Sequence, residues 1–286
     1  VYAKELHAEE SMTILLKDAL KPNLVQTLIG TPAIIHCGPF ANIAHGCNSV
    51  VATKLAMSYA DYCITEAGFG ADLGAEKFMD FKCRVSGLKP NCVVLVATIR
   101  ALKLHGGENQ DNLTEENLDA LKKGICHLQH HINVLKNVYK VPYVVTLNKY
   151  ATDTKAEIEL VKSELAGSEI VINDVWGKGG KGATELMQKV EQMCNEDNSR
   201  FSYAYNLNDS VQKKIEDIVK KVYGGATVSF TEKAKFALET IKKEKLEHLP
   251  VIMAKTQFSL SADKDLIGAP SGFDVEVKDI EIRTGA

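Results

Sequence analysis

The sequence predicts an α/β protein: three layers built around a mainly parallel sheet, followed by a second, smaller α/β unit. Three observations carry this reading. Apolar strand-like runs alternate with helix-like stretches from residue 33 to residue 148, the signature of a doubly wound sheet. The clearest run, CVVLVATI (92–99), is apolar on both faces, which suits a parallel strand covered on both sides. Glycines and polar side chains gather where the runs end, and open parallel sheets bind ligands at the carboxyl ends of their strands.

The elements follow in order. Residues 4 to 20 read as a helix with Leu6, Ile14, Leu15 and Ala19 near one face, stopped by Pro22. AIIHC (33–37), between Pro32 and Gly38, reads as a buried strand. Asn42 can cap a helix running to about Ala60. A strand at 62–67, a helix at 73–83 and the strand at 92–99 come next, then a long helix over 113–138 opened by Thr114 and the acidic Glu115-Glu116. PYVVTLN (142–148) is a further strand. After it come a helix from Thr152 to about Leu165, a strand at 169–174, a helix from Ala183 to Cys194 and a strand at 203–207. Helices at 209–223 and 231–244 and a strand at 251–256 complete the pattern. These divide the chain at about 1–149, 150–249 and 250–286, the last piece being short.

Of the 286 residues, 45% are hydrophobic and 25% charged, as in an ordinary soluble domain, and the net charge is -3. That balance supplies no electrostatic footprint for nucleic acid and no basic patch for an anionic membrane. The longest apolar run, near Val93 to Ile99, is far too short to span a bilayer. The first residues carry no signal-peptide core. Seven cysteines without a C-x-x-C pair argue for a reduced, cytoplasmic setting.

Five constellations carry candidate chemistry. His36 and His45 flank the turn GPFANIAHG; imidazole changes charge near neutral pH, so either can serve as a base or charge stabiliser, or simply bond backbone. Glu66 precedes the loop Gly68-Phe69-Gly70-Ala71-Asp72. Its glycines admit a close ligand and its acids can hold Mg²⁺, while Asp72 can equally cap the next helix. Arg100 follows the strongest strand, in phosphate-binding or merely solvated surroundings. Asn148-Lys149-Tyr150 ends the strand at 142–148. Trp176-Gly-Lys178-Gly179-Gly180-Lys-Gly precedes a helix, a plausible anion site that lacks the lysine of a Walker loop. A lone tryptophan is most often core. Met253-Ala254-Lys255-Thr256 ends the last predicted strand, with Lys255 structural by default.

TPAIIHCGPFANIAHGCNSVVATKLAMSYADYCITEAGFGADLG, KCRVSGLKPNCVVLVATIRALKLHGG, TLNKYATDT, DVWGKGGKGATEL and LPVIMAKTQFSLSADK together closely resemble formate–tetrahydrofolate ligase, along essentially the whole chain. The resemblance implies a P-loop-NTPase-like first domain and a reaction in which ATP and formate give formyl phosphate, which tetrahydrofolate then captures. It implies Mg²⁺ with ATP, a monovalent cation (K⁺ or NH₄⁺) and a homotetramer. It raises His36, His45, Glu66, Asp72 and Arg100 as catalytic candidates, with Glu66 and Asp72 toward Mg²⁺. Gly68, Gly70, Asn148, Lys178, Gly179 and Gly180 become candidates for nucleotide or phosphate. Tyr150 and Trp176 become the two walls of a pterin slot lined by Ile172. Here Tyr150-Ala151 stands where the family more often has Phe-Pro. The family's G-x-x-x-x-G-K-[ST] loop does not occur, so the chain reads as the middle of a longer protein that is inactive alone. The alternative is a non-catalytic folate-binding or assembly module. An NAD-dependent oxidoreductase fits less well, because no strand is followed by G-x-G-x-x-G.

Overall fold

A computed structural model describes residues 5–283; the start of the predicted first helix, at residue 4, lies outside them. The chain opens with helix α1 (Glu9–Leu16), strands β1 (Asn23–Gln26) and β2 (Pro32–Ile35) and helix α2 (Val50–Tyr59). A stretch with wide helical turns, Ala71–Ala75 and Phe78–Cys83, runs into the short helix α3 (Arg84–Ser86). Strand β3 (Val93–Ala97) and helices α4 (Ile99–His105) and α5 (Leu118–Asn133) lead to β4 (Tyr143–Asn148). Then come α6 (Lys155–Glu164), β5 (Ile170–Asn173), α7 (Val175–Lys178) and α8 (Thr184–Glu196). The chain closes with α9 (Val211–Ile218), β6 (Thr227–Phe230), α10 (Glu232–Lys243) and β7 (Asp274–Val277).

The central sheet is parallel, in the order β3-β4-β5. Its middle strand is buried on both faces. Val144 packs with Val171 and Leu186 of α8, while Val145 and Leu147 point into the main cluster with Leu95, Leu121 and Ile125. Helix α5 buries Leu121, Ile125, Leu128 and Ile132, the three- and four-residue spacing of one helical face. Each such side chain contributes roughly 1.5–3 kcal/mol on burial. Helices α4 and α5 approach closely because both contacts are glycines. A Cβ on Gly106 would lie 1.7 Å from the Ala120 carbonyl oxygen, and one on Gly124 1.7 Å from that of Leu102.

Five expectations need correction. The stretch 33–37 does not join the parallel sheet. β2 instead pairs antiparallel with β1, which the sequence reading missed. Local turn chemistry decides this: Gly30 adopts φ +88°, and the Thr27 hydroxyl accepts from the Thr31 amide. Residues 62–67 form no strand, only an isolated bridge between Cys47 and Ala67. As a result β3 stands at the sheet edge, with Val96 55% exposed. The helix expected from Asn42 begins only after Ser49, whose side chain caps it, because Gly46 at φ +62° breaks any helical path. The stretches 203–207 and 251–256 are irregular: their backbone groups bond side chains and loops rather than a neighbouring strand. The Asp80 carboxylate accepts from the Ala204 amide at 2.8 Å, and the Tyr205 hydroxyl accepts from the Val251 amide at 3.0 Å. A second parallel pair, β6–β7, was also not foreseen. No helix among the described residues is long and apolar enough to cross a membrane.

Buried polar groups knit the core. Tyr139, fully buried, donates to Asp80 at 2.9 Å. Burial pushes the Asp80 carboxyl up to about 6, against the opposing pull of its hydrogen bonds and of Arg84. Lys103 and Glu157 form a buried ion pair at 2.8 Å. His105 stacks on His127 with ring centroids 3.6 Å apart, and His131 approaches His127 at 3.1 Å between Nε2 atoms. Burial, and then the facing His127, push His105 down to about 4.

Two outcomes are expected. Gly124→Ala should destabilise the fold by at least about 2 kcal/mol in urea denaturation, whereas Gly167→Ala, which meets nothing within 4 Å, should stay within about 0.5 kcal/mol. The second concerns acid. The folded pKa of His105 lies below its unfolded value, so its contribution is present above about 6.5 and is lost as pH falls toward about 4. Wild type should therefore lose about 1 kcal/mol more than His105→Gln between pH 7 and pH 5, after allowing for the partial exposure of the ring. Melting curves at the two pH values check this; equal losses would exclude His105 as a source of acid sensitivity.

Candidate functional site

The candidate residues fall into two groups joined by α4. The first group lies where two loops cross. The loop 38–47 carries His45, and the loop 66–74 carries Glu66, Gly68, Gly70 and Asp72. The Gly68 amide donates to the Gly46 carbonyl at 2.9 Å. A Cβ on Gly46 would stand 2.1 Å from that of Ala41, and one on Gly74 2.1 Å from the Gly68 carbonyl oxygen. Only glycine lets each loop fold back on itself this closely.

His45 is buried, its ring 5.8 Å from that of Phe81, and its Nδ1 has no partner. Burial lowers its pKa, and Lys82 and Lys77 lower it further. The neutral imidazole is thereby favoured and one ring nitrogen is uncommitted, features that suit a general base. His36 differs. Its Nδ1 meets the Ser49 hydroxyl at 2.7 Å and its Nε2 the Ala19 carbonyl at 2.8 Å, so both nitrogens are committed to the fold.

Asp72 is buried and its carboxylate pairs with Lys255 at 2.5 Å. It does not cap the following helix, whose N-cap is Gly70 and makes no side-chain bond. Glu66 is exposed. No group of three or more His, Cys, Asp and Glu side chains among the described residues is arranged to hold a metal ion. With Asp72 tied to a lysine and Glu66 out in solvent, this pair does not fit a shared Mg²⁺ site. The surroundings are densely charged: Glu76, Lys77, Asp80 and Lys82 are all buried. Lys77 donates to the Ala41 carbonyl, and Lys82 to the Thr53 hydroxyl at 2.8 Å.

The second group occupies the carboxyl ends of β3, β4 and β5, as the doubly wound pattern predicts. Arg100 enters α4 just after β3. Its guanidinium lies 4.3 Å from the Tyr150 ring centroid and donates to the Thr152 hydroxyl at 3.2 Å. One face of Tyr150 is thereby taken by a cation. Asn148 and Asn173 sit opposite each other in the β4–β5 register, and the Asn173 amide donates to the Asn148 side-chain oxygen at 2.9 Å. Ile172 lies half-buried in β5 beside them.

Trp176, one residue into α7, is 91% exposed. The reading of a lone tryptophan as core is thus wrong for this chain. The glycine-rich loop after it wraps around Asp174, a residue the sequence reading did not single out. The Asp174 carboxylate meets both Lys149 at 3.7 Å and Lys178 at 3.6 Å. A Cβ on Gly182 would stand 2.2 Å from the Asp174 carbonyl oxygen, which explains that glycine. Gly179 takes φ +59°, and Gly180 is exposed with open space around it. The signal for Asp174 was present in retrospect, as the only acid at the end of an apolar strand followed by a lysine-rich loop.

Helix α4 bridges the groups. Arg100 stands in its first turn and His105 at its end, about 8 Å along the axis. His105 in turn feels the charge of Asp72. The sequence leaves Arg100 between a phosphate contact and a solvated stretch and does not reveal this link. Thr98, whose hydroxyl accepts from the Ala101 amide, was the capping signal.

An exposed indole and a cation-backed phenol on adjacent strand ends suit a flat heteroaromatic ring. A neutral buried histidine beside a glycine crossing suits proton transfer. The model of one protein family, described as Formate–tetrahydrofolate ligase, matches residues 1–286, and the chain belongs to that family.

Proposed function

We propose that this chain forms part of the site at which formate is joined to tetrahydrofolate at the expense of ATP. A formate oxygen attacks the γ-phosphorus, and the bond to ADP breaks, giving formyl phosphate. N10 of tetrahydrofolate then attacks the formyl carbon. The carbon–oxygen bond to phosphate breaks, N10 loses its proton, and 10-formyltetrahydrofolate and phosphate result. Such a path needs positioning and charge stabilisation more than a covalent enzyme intermediate.

The observation that carries this reading is Trp176, almost fully exposed on a helix at the end of β5, the strand next to the one that Tyr150 follows. An indole left in water has no packing reason to be there. Tyr150 and Trp176 would hold the pterin, with Ile172 beside it. Arg100 would approach phosphate or the glutamate of the folate while backing Tyr150. Asn148 would fix the strand ends through Asn173. The Gly179-Gly180 backbone, with Lys178, would meet anionic oxygens after release from Asp174. His45 would accept the N10 proton, and Gly68 and Gly70 would admit the ligand against bare backbone.

The test reads the single tryptophan directly. Emission of the folded chain should be red-shifted, as for an indole in water. It should be quenched saturably by tetrahydrofolate once ligand absorption is corrected. Tyr150→Ala should weaken that binding about fivefold, the value of one aromatic face at roughly 1 kcal/mol. Emission indifferent to folate would overturn the pterin slot.

In the full-length natural protein, formate- and tetrahydrofolate-dependent ADP formation should accompany the activity. There His45→Gln should lower kcat by about 10² or more. His36→Gln should mainly lower the melting temperature, because both of its ring nitrogens hold the fold together. Steady-state kinetics and melting curves on the two variants check this, and the opposite pattern would exchange their roles.

A further inference from the structure

We propose that Lys255 is a positioning residue that clamps the histidine loop and the acidic glycine loop into one working geometry; this rests on the ligase reading above. Residue 255 reaches both loops at once. Its backbone amide donates to the Asn42 carbonyl at 3.1 Å, three residues before His45. Its ammonium pairs with Asp72 at 2.5 Å.

The ammonium is itself fixed. It donates to the carbonyls of Thr256 at 3.1 Å and Ser259 at 2.5 Å, and lies 5.1 Å from the Tyr223 ring centroid. The Lys255 side chain is 6% exposed, as is that of Asp72. A flexible lysine stem held by two carbonyls, a carboxylate and an aromatic face has one available position. The loop behind it is rigid for its own reasons. The Ser259 hydroxyl donates to the Leu266 carbonyl at 2.6 Å, and the Ser261 hydroxyl accepts from the Asp263 amide at 3.0 Å.

The clamp also answers an electrostatic need. Asp72, Glu76 and Asp80 are buried on consecutive helical turns, and neither carboxylate oxygen of Glu76 has a partner. Lys77 and Lys255 are the cations whose charge is felt at Glu76. Without Lys255 the loop 66–74 would carry Asp72 as an uncompensated buried charge and would have reason to open. Misplacing a reacting group by about 1 Å is enough to cost on the order of a hundredfold in rate. Lys255 touches the loops rather than any reacting atom. Its effect should therefore pass through Asp72.

The experiment compares Lys255→Met, Lys255→Arg, Asp72→Asn and the double variant Asp72→Asn/Lys255→Met in the full-length natural protein. Lys255→Met should lower kcat about a hundredfold, with the KM for tetrahydrofolate changed less than about threefold. Lys255→Arg should recover most of that loss. The double variant, which removes both members of the pair, should be no slower than Asp72→Asn alone, since coupled residues are not additive. Losses that multiply in the double variant, or a Lys255→Met enzyme with wild-type kcat, would overturn the proposal.

Amide hydrogen exchange supplies a second readout independent of activity. Lys255→Met should speed exchange in residues 40–47 and 68–76 together while leaving β4 protected. Equal loss of protection in β4 would mean that Lys255 supports the fold at large and is no clamp. Should the wild-type protein form no ADP in response to formate and tetrahydrofolate, the ligase reading falls. The exchange measurement then still decides whether Lys255 couples the two loops.

Discussion

Two loops, each folded tightly on itself at a glycine (Gly46 against Ala41, Gly74 against Gly68), cross where the Gly68 amide donates to the Gly46 carbonyl at 2.9 Å, and the candidate site is arranged around that crossing. That hydrogen bond and the bridge between Cys47 and Ala67 fix the loops relative to each other. The crossing buries His45 on one side and Asp72 on the other. It also brings the Ala41 carbonyl within reach of the Lys77 ammonium, so the helical stretch after the acidic loop is tied back to the loop before it. A methyl group on Gly46 or Gly74 would force its own loop open, and with it the contact between the two.

The charges packed beside the crossing give it its chemistry. Isolated buried charges are costly, and they persist only when paired or hydrogen-bonded. Asp72 has Lys255, Asp80 has Tyr139, Arg84 and the Ala204 amide, and Lys82 has the Thr53 hydroxyl. The two lysines nearest His45 oppose its protonation. Burial acts in the same direction, and both favour the neutral imidazole. The strand-end group is built differently. There Arg100, Tyr150, Lys149 and Lys178 lie near the surface, and Asp174 offsets the two lysines.

Much of this was legible in the residues. CVVLVATI, PYVVTLN and EIVIND announce three parallel strands by their apolar runs and turn signals, and the candidate residues Arg100, Asn148, Tyr150 and Trp176 do stand at their carboxyl ends. Periodicity could not reveal partners. AIIHC is as apolar as the others, yet a four-residue turn at Thr27–Gly30 gives it a nearer neighbour than the sheet. YCITEA has strand composition, but its neighbours in space are glycine loops, so its backbone finds only one bridge. β6 and β7 pair across more than forty intervening residues, beyond the reach of a local window. Lys255 was visible as a lysine after an apolar run, but its partner lies 183 positions earlier (255 − 72), and no spacing rule connects them.

The bond from the Ala204 amide to Asp80 has a consequence for the order in which the molecule can be made. A ribosome releases residue 80 long before residue 204, and in the interval the carboxyl and the Tyr139 hydroxyl have each other and water. The same holds for Arg84, whose guanidinium donates to the Tyr205 carbonyl at 2.9 Å. Closure of the first half therefore waits on the second, with contacts spanning more than a hundred positions, and such topologies fold slowly. During that wait the apolar faces of β3 and α5 are open to wrong partners, so nascent chains should depend on chaperones more than a helical bundle of equal length would.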